Sequence, residues 1–183
     1  MKFIIYILGA CGSGKSSLGA LLNEKYGYEH LDIDDYFWVK TDLPFQTSRT
    51  REEVYELLVP DLQKAELCVL SGNLGKDAYR YNHLIDLAVF LDAPTDIRLT
   101  RLANRERKLF GGRIDAGGDM QQTHIDFIKW AAAYEGNDNR YNTRQKQQRQ
   151  LEVLTCPIMH VDAKQNQIDI CESVNDKVKQ LLR

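Results

Sequence analysis

Residues 9–16 carry the glycines and side chains that bind a phosphate chain. They read G-A-C-G-S-G-K-S, which matches the nucleotide-binding pattern G-x-x-x-x-G-K-S/T in full. Glycines let consecutive backbone N–H groups encircle a phosphate, and a helix that follows directs its positive end at the same place. In this pattern Lys15 places its charge at the β- and γ-phosphates, and Ser16 offers its hydroxyl to Mg²⁺. The predicted nucleotide-binding residues here are Gly9, Ala10, Cys11, Gly12, Ser13, Gly14, Lys15, Ser16 and Ser17.

Aspartates cluster in residues 31–37, which read L-D-I-D-D-Y-F. Phosphoryl transfer has a loose transition state, so it needs positioning and charge neutralisation more than a strong base. One well-aimed carboxylate is therefore enough to orient an acceptor. The alternative is that Asp32, Asp34 and Asp35 only end a strand and cap a turn, where aspartate is common.

Arginines recur in and beyond residues 101–105, which read R-L-A-N-R. The spacing of Arg101 and Arg105 puts both on one face of a helix, and guanidinium groups suit phosphate oxygens. A solvated basic helix face explains the pair equally well. Further cations surround two Gly-Gly pairs, whose hinges would let a short lid close over the site. These cations are Arg107, Lys108, Arg113, Arg140 and Arg144.

The elements that position these residues alternate between strand and helix. Strands are predicted at residues 2–8, 29–33, 67–70, 87–91 and 157–161. Helices are predicted at residues 15–26, 49–65, 95–108, 121–134, 140–151 and 167–182, with a loop containing Pro44 before the second of them. Thr50 with Glu53 predicts a capping box, and Thr95 predicts another helix cap. Continuous apolar strands between helices favour a three-layer α/β/α domain with a mostly parallel five-stranded sheet and ligands at the strands' carboxyl ends.

On these motifs the chain resembles the P-loop small-molecule kinases, the group of adenylate, shikimate and uridine kinases. Residues 31–37 resemble the D-x-D of shikimate kinases and the D-D-F-Y-like segment of uridine kinases. Residues 87–95, L-A-V-F-L-D-A-P-T, resemble the strand before the lid of nucleotide-type kinases, and Arg101 with Arg105 matches their R-x-x-x-R. The resemblance covers nearly the whole chain in element order. It implies a P-loop NTPase fold, ATP with Mg²⁺, and one domain over residues 1–183 with a lid at about residues 106–120.

The resemblance also implies roles for individual residues. Asp34 would orient the acceptor and take its proton, and Asp32 would help Ser16 to hold Mg²⁺. Arg101 would stack on or near the adenine, and Arg105 would reach the phosphates. After the last strand, Ala163 falls where this family lays backbone against the adenine. Arg113 occupies the place of a lid arginine of adenylate kinases, and Arg140 and Arg144 are candidates for the later lid arginines.

The chain departs from the family where the acceptor binds. Residues 71–73 read S-G-N instead of the glycine triplet of shikimate kinases, and the arginine that follows this strand in adenylate kinases has its nearest counterpart in Arg80. The acceptor segment, at about residues 35–66, contains Trp38, Phe45, Arg49 and Arg51. These favour an acceptor with a flat or apolar part and an anionic part, although core packing explains the aromatic residues equally well. A nucleoside, a nucleotide and a hydroxy metabolite all stay open.

Composition excludes several other classes of protein. With 183 residues, 43% hydrophobic and 27% charged, the chain is long enough and apolar enough for one folded domain. A net charge of −2 gives no field that attracts nucleic acid or a membrane. Phosphorylation of a nucleic-acid end nevertheless stays open, because only a local groove needs to be basic. The four cysteines form no C-x-x-C pair and follow no signal peptide, so we expect a reducing cytoplasm.

Together these patterns predict an ATP-dependent phosphotransferase that moves the γ-phosphoryl group of Mg-ATP to a small molecule. The alternative is a nucleotide-binding regulatory or accessory protein, in which bound ATP orders the lid for a partner. That protein would need Lys15 and Ser16 but would have no use for Asp34.

Overall fold

A parallel sheet forms the centre of the chain. The computed structural model describes residues 2–41, 45–138 and 140–183. The strands are β1 (Phe3–Gly9), β2 (Glu29–Asp32), β3 (Leu67–Ser71), β4 (Leu87–Asp92) and β5 (Ile158–Asp162). They form one five-stranded sheet in the order β2-β3-β1-β4-β5, and every neighbouring pair of strands is parallel. Because β1 is the middle strand, the loop that follows its carboxyl end lies between the ends of β3 and β4.

Helices follow the strands along the chain. The α-helices are α1 (Lys15–Tyr26), α2 (Ile33–Phe37), α3 (Arg51–Lys64), α4 (Thr95–Phe110), α5 (Gln121–Ala132), α6 (Arg144–Val153) and α7 (Gln167–Leu181). Short 3-10 helices occupy Gly75–Tyr81, Gly111–Ile114 and Ala133–Glu135. No helix in the described part of the chain is both long enough and apolar enough to span a membrane.

The three central strands, β1, β3 and β4, are buried on both faces, as their continuous apolar runs predict, whereas the edge strands β2 and β5 are largely exposed or half-buried. Alternate residues of β1 point to opposite faces, so that Ile4 and Tyr6 join one core and Ile5 and Ile7 join the other. The first core includes Leu58 and Leu62 of α3 together with Ala78, Tyr81 and Leu151, and the second includes Leu18 and Leu22 of α1 with Ile170, Val174 and Val178 of α7. The predicted three-layer architecture is confirmed.

Most predicted elements are present, with three local corrections. The strand predicted at 29–33 ends at Asp32, because its carboxylate accepts a hydrogen bond from the Asp34 N–H and begins α2, where a loop was predicted. Thr95 does not cap α4, since Pro94 holds the cap position and the Thr95 hydroxyl accepts a hydrogen bond from Arg98 instead. The helix predicted from residue 140 begins at Arg144. The capping box of Thr50 and Glu53 is confirmed, and the predicted loop residue Pro44 lies outside the described residues.

Candidate functional site

The glycine-rich loop connects the end of β1 to the start of α1, the position that the sequence pattern requires. Gly14 precedes α1 with a φ of +104°, a left-handed conformation that glycine adopts without strain. The Lys15 ammonium donates to the carbonyl oxygens of Gly9 (3.0 Å) and Ala10 (3.1 Å) and therefore lies over the loop. The Ser13 hydroxyl is buried, and no described group forms a hydrogen bond with it. The loop thus gathers an ammonium group and a buried hydroxyl at a helix N-terminus, which suits an anion.

Two buried polar residues anchor this loop, and sequence reasoning missed both. Arg98 of α4 is fully buried and donates to the Cys11 carbonyl (3.1 Å). The Gln147 amide of α6 donates to the Gly9 carbonyl (2.8 Å) and accepts from the Tyr134 hydroxyl (2.7 Å). Polar residues in helices are usually solvated, so neither residue carries a local signal for its role.

Asp32 stands beside the loop at the end of β2. Its Oδ2 accepts hydrogen bonds from the hydroxyls of Ser16 (2.5 Å) and Ser71 (2.9 Å), and its Oδ1 accepts from the Asp34 N–H (3.0 Å). A hydroxyl and a carboxylate are hard oxygen donors, and Mg²⁺ typically takes one or two such protein ligands together with phosphate oxygens and water. The donor set formed by Ser16 and Asp32 therefore fits Mg²⁺.

Asp34 lies at the start of α2, facing the same cleft. Asp34 is exposed as a residue, but the protein atoms that crowd its carboxyl remove part of its water and raise its pKa above the ordinary value. The negative charge of Asp32 raises it further, whereas the cations Lys15 and Arg105 lower it. Asp34 therefore interacts electrostatically with both Lys15 of the loop and Arg105 of α4, two of the residues that the sequence pattern indicated.

A cleft of about 390 Å³ collects these groups. Its described lining includes Ser16, Asp32, Asp34, Asp35, Lys40 and Arg105, together with the aromatic rings of Trp38 and Phe45. The two rings meet edge to face, with their centroids 5.8 Å apart. Phe45 is 53% exposed, so core packing does not account for it. Two aromatic rings, set nearly at right angles, therefore stand beside the carboxylates.

The arginines of the acceptor segment have other partners. Arg49 donates to the carbonyls of Tyr36 (2.8 Å) and Trp38 (3.3 Å), which fixes the backbone behind the cleft. Arg51 donates to the carbonyls of Asn73 and Leu74 and lies over the Phe37 ring. The cations in the described lining of the cleft are Lys40 and Arg105. These two, rather than Arg49 and Arg51, could bind the anionic part of an acceptor.

Arg101 and Ala163 are joined directly. The Arg101 guanidinium donates to the carbonyls of Ser13 (3.3 Å) and Ala163 (3.0 Å), so it links the phosphate loop to the segment after β5. The Ala163 N–H donates to the Asp92 carbonyl (2.7 Å). The Ala163 N–H thus has a protein partner, whereas its carbonyl oxygen, which accepts one hydrogen bond from Arg101, could accept a second.

The three candidate lid arginines form four ion pairs. Arg113 pairs with Asp119 at 2.6 Å and Arg140 with Asp138 at 2.7 Å. Arg144 pairs with both Asp92 and Glu135, each at 2.8 Å. None of the four acidic partners belongs to the described lining of the cleft. The structure therefore brings Ser16, Asp32, Asp34 and Arg105 together and leaves the lid arginines with partners elsewhere.

A phosphate-binding loop after the central strand of a parallel sheet, with carboxylates after the next strand in the chain, defines a P-loop protein of the kinase type. Among solved structures the chain is similar to shikimate kinase from Bacteroides thetaiotaomicron, with a TM-score of 0.56, 19% identity and 98% of both chains covered. It is also similar to shikimate kinase from Acinetobacter baumannii, with a TM-score of 0.51, 18% identity, and 98% and 94% of the two chains covered.

The AAA domain family matches residues 5–116, more than half of the chain, and the chain belongs to this family. The uncharacterized protein YqaC of Bacillus subtilis (strain 168) is 35% identical over 182 residues, which cover 100% of this chain and 97% of that protein. The cytidylate kinase of Natronomonas pharaonis is 32% identical over 117 residues, or 57% of this chain and 59% of that enzyme. These matches confirm the predicted P-loop fold, and the kinases among them indicate an enzyme of the P-loop kinase type whose acceptor they do not specify.

Proposed function

We propose that this chain transfers the γ-phosphoryl group of Mg-ATP to a hydroxyl or phosphate of a small molecule. The observation that carries the proposal is the single cleft in which the loop residue Ser16 meets Asp32, Asp34 and Arg105. A carboxylate that orients the acceptor and a guanidinium that neutralises phosphate charge, both lining a cleft beside a phosphate-binding loop, suit phosphoryl transfer. The cytidylate kinase relative supports the same reaction class.

The loop would hold the donor. Its backbone N–H groups and the Lys15 ammonium would bind the phosphates, with Lys15 exchanging its two carbonyl contacts for phosphate oxygens. Ser16 and Asp32 would hold Mg²⁺, which when bound neutralises phosphate charge. Arg101 and Ala163 would lie beside the adenine, because the Arg101 guanidinium connects the phosphate loop to the segment after β5.

Asp34 would aim the acceptor. It stands within the electrostatic reach of Lys15 and Arg105, and its raised pKa makes it a better proton acceptor than an ordinary aspartate. Arg105, on the wall of the cleft, would neutralise charge on the moving phosphoryl group together with Arg113. Arg113 would arrive with the lid at about residues 106–120.

The acceptor segment, at about residues 35–66, would select the small molecule. The perpendicular rings of Trp38 and Phe45 offer aromatic surface, and Lys40 offers a positive charge in the same cleft. An acceptor that carries both an apolar or planar part and an anionic part fits these groups. We also propose that the chain works in a reducing cytoplasm, where its four scattered cysteines would stay thiols.

The test measures ATP binding and ADP release separately. Purified chain and Mg-ATP are screened for ADP release over nucleosides, nucleoside monophosphates, sugar acids and small hydroxy metabolites. Lys15→Ala should keep its thermal stability, because the ammonium contacts only loop carbonyls, and should lose turnover. Asp34→Asn should keep ATP binding and lose about 10²-fold or more of transfer.

Asp35→Asn is the matched control. Asp35 is the adjacent aspartate and also lines the cleft, so it changes local charge equally but should leave transfer within a few-fold of normal. Equal loss in the Asp34 and Asp35 variants would remove the specific role of Asp34. ATP binding without ADP release over the whole screen would instead favour the regulatory or accessory protein.

A further inference from the structure

A chain of hydrogen bonds leads from β2 and β3 to the proposed metal ligands. Ser71, the last residue of β3, is fully buried, and its hydroxyl donates to Asp32 Oδ2 (2.9 Å). His30 lies two residues before Asp32 on β2, and its Nε2 is 2.9 Å from the Ser71 hydroxyl. The same Asp32 Oδ2 accepts the hydrogen bond from Ser16 (2.5 Å). Four side chains from β2, β3 and the start of α1, where the phosphate loop ends, are thus connected by hydrogen bonds.

The order of donors in this line is fixed. The Asp32 carboxylate can only accept, so the single hydroxyl proton of Ser71 is directed at Oδ2. The Ser71 oxygen then remains as an acceptor for an N–H group at His30 Nε2. His30 therefore orients Ser71, and Ser71 orients the oxygen of Asp32 that faces Ser16.

Helix α1 keeps the imidazole in place. The His30 ring packs against Gly19, where a side-chain carbon would overlap the ring. Because α1 begins at the phosphate loop, the same helix that presents Ser16 also supports the ring that orients Ser71. Because residue 19 is glycine, the His30 ring can occupy the space that a larger side chain would fill.

We propose that His30 and Ser71 are positioning residues that hold Asp32 Oδ2 towards Ser16 and so set the affinity of the nucleotide site for Mg²⁺. The inference rests on the proposed function, since His30 and Ser71 would support a ligand of the Mg²⁺ ion that this function needs. Neighbours that orient metal ligands typically change metal affinity by about 10- to 100-fold when removed. The competing explanation is that His30 and Ser71 only tie β2 to β3 and contribute to stability.

The experiment titrates Mg²⁺ against ATP binding, measured by calorimetry without any acceptor. Ser71→Ala and His30→Phe should each raise the Mg²⁺ concentration that half-maximally tightens ATP binding by about 10-fold. ATP binding in EDTA should not change, because the loop and Lys15 are untouched. Gly19→Ala removes no polar group but displaces the His30 ring, so it should have the same effect as His30→Phe.

Two further variants separate positioning from stability. His30→Gln retains an N–H donor and should recover part of the Mg²⁺ affinity that His30→Phe loses. His83→Phe, at an exposed histidine, should leave the Mg²⁺ titration unchanged. Thermal unfolding is recorded for every variant.

The possible failures can be told apart. A normal Mg²⁺ titration in Ser71→Ala and His30→Phe, with lowered melting temperatures, would overturn the positioning role alone. Failure of the unmodified chain to bind ATP at any Mg²⁺ concentration would overturn the proposed function and this inference with it.

Discussion

Arg98 offers a severe test of how the phosphate loop is supported. Its side chain is fully buried, and burial lowers the pKa of its guanidinium. The hydrogen-bond acceptors of the guanidinium are the Thr95 hydroxyl (2.9 Å) and the carbonyls of Cys11 (3.1 Å), Ala93 (3.2 Å) and Ala131 (3.4 Å). The guanidinium also lies over the Tyr134 ring, 4.8 Å from its centroid. One side chain therefore joins the loop, the start of α4 and the end of α5.

The expected loss for Arg98→Met follows from these contacts. Each of the four hydrogen bonds contributes about 1 kcal/mol, and the stacking on Tyr134 adds about 1 kcal/mol. Methionine recovers part of this by filling the space with apolar atoms, so the free energy of unfolding should fall by about 3–4 kcal/mol. For a chain of this length that corresponds to a melting temperature lower by about 6–16 °C.

Urea unfolding at equilibrium measures this loss, with Arg140→Met as the matched control. The Arg140 side chain is 81% exposed and pairs only with Asp138 among the ion pairs of the described residues, so its replacement should change the free energy of unfolding by less than about 1 kcal/mol. Arg98→Met should also weaken ATP binding well below its melting temperature, because the Cys11 carbonyl belongs to the loop. A loss of less than about 1 kcal/mol for Arg98→Met would refute the reasoning.

Two further outcomes are expected. Gly12→Ala should weaken ATP binding by at least about 10-fold without unfolding the chain, because φ at Gly12 is +82° and the new methyl carbon would lie 2.7 Å from the Arg98 carbonyl oxygen. Unchanged ATP affinity by calorimetry would contradict this expectation. Burial raises the pKa of the Cys68 thiol to about 12, so at pH 8 about one such thiol in 10⁴ is ionised. Iodoacetamide should therefore modify Cys68 only on unfolding, and rapid labelling of the native chain, followed by peptide mass spectrometry, would show the burial to be incorrect.

The phosphate loop could be predicted from the sequence because its determinants are local. Glycines, Lys15 and the following helix formers lie within one short segment, and α1 has the predicted bounds of Lys15–Tyr26. The capping box of Thr50 and Glu53 was predictable for the same reason, since both partners belong to one helical turn. Parallel pairing followed from strands without polar alternation.

Other features depend on contacts between distant parts of the chain. Arg98 looks like any other charged helix residue, and only the packing of α4 against the loop and α5 buries it. Ser71 and His30 lie on separate strands, 41 residues apart in sequence, and the register that pairs β2 with β3 brings them together. Asp32 similarly ends its strand early, because its side chain accepts a hydrogen bond from the Asp34 N–H. Strand propensities do not account for such a side-chain cap.

The three candidate lid arginines differ in how firmly their ion pairs hold them: Arg113 and Arg140 each pair with one carboxylate, and Arg144 pairs with two. Arg144 is the most firmly held, because two carboxylates, Asp92 and Glu135, accept two hydrogen bonds each from its guanidinium. Arg113 has one acidic partner, and its side chain is 48% exposed, so this pair contributes at most about 1 kcal/mol. A charge-assisted bond to a phosphate is worth about 1.5–3 kcal/mol, which exceeds that contribution. Under the proposed function, Arg113 would leave Asp119 for a bound nucleotide, whereas Arg144 is better suited to fix the end of β4 against the segment after α5.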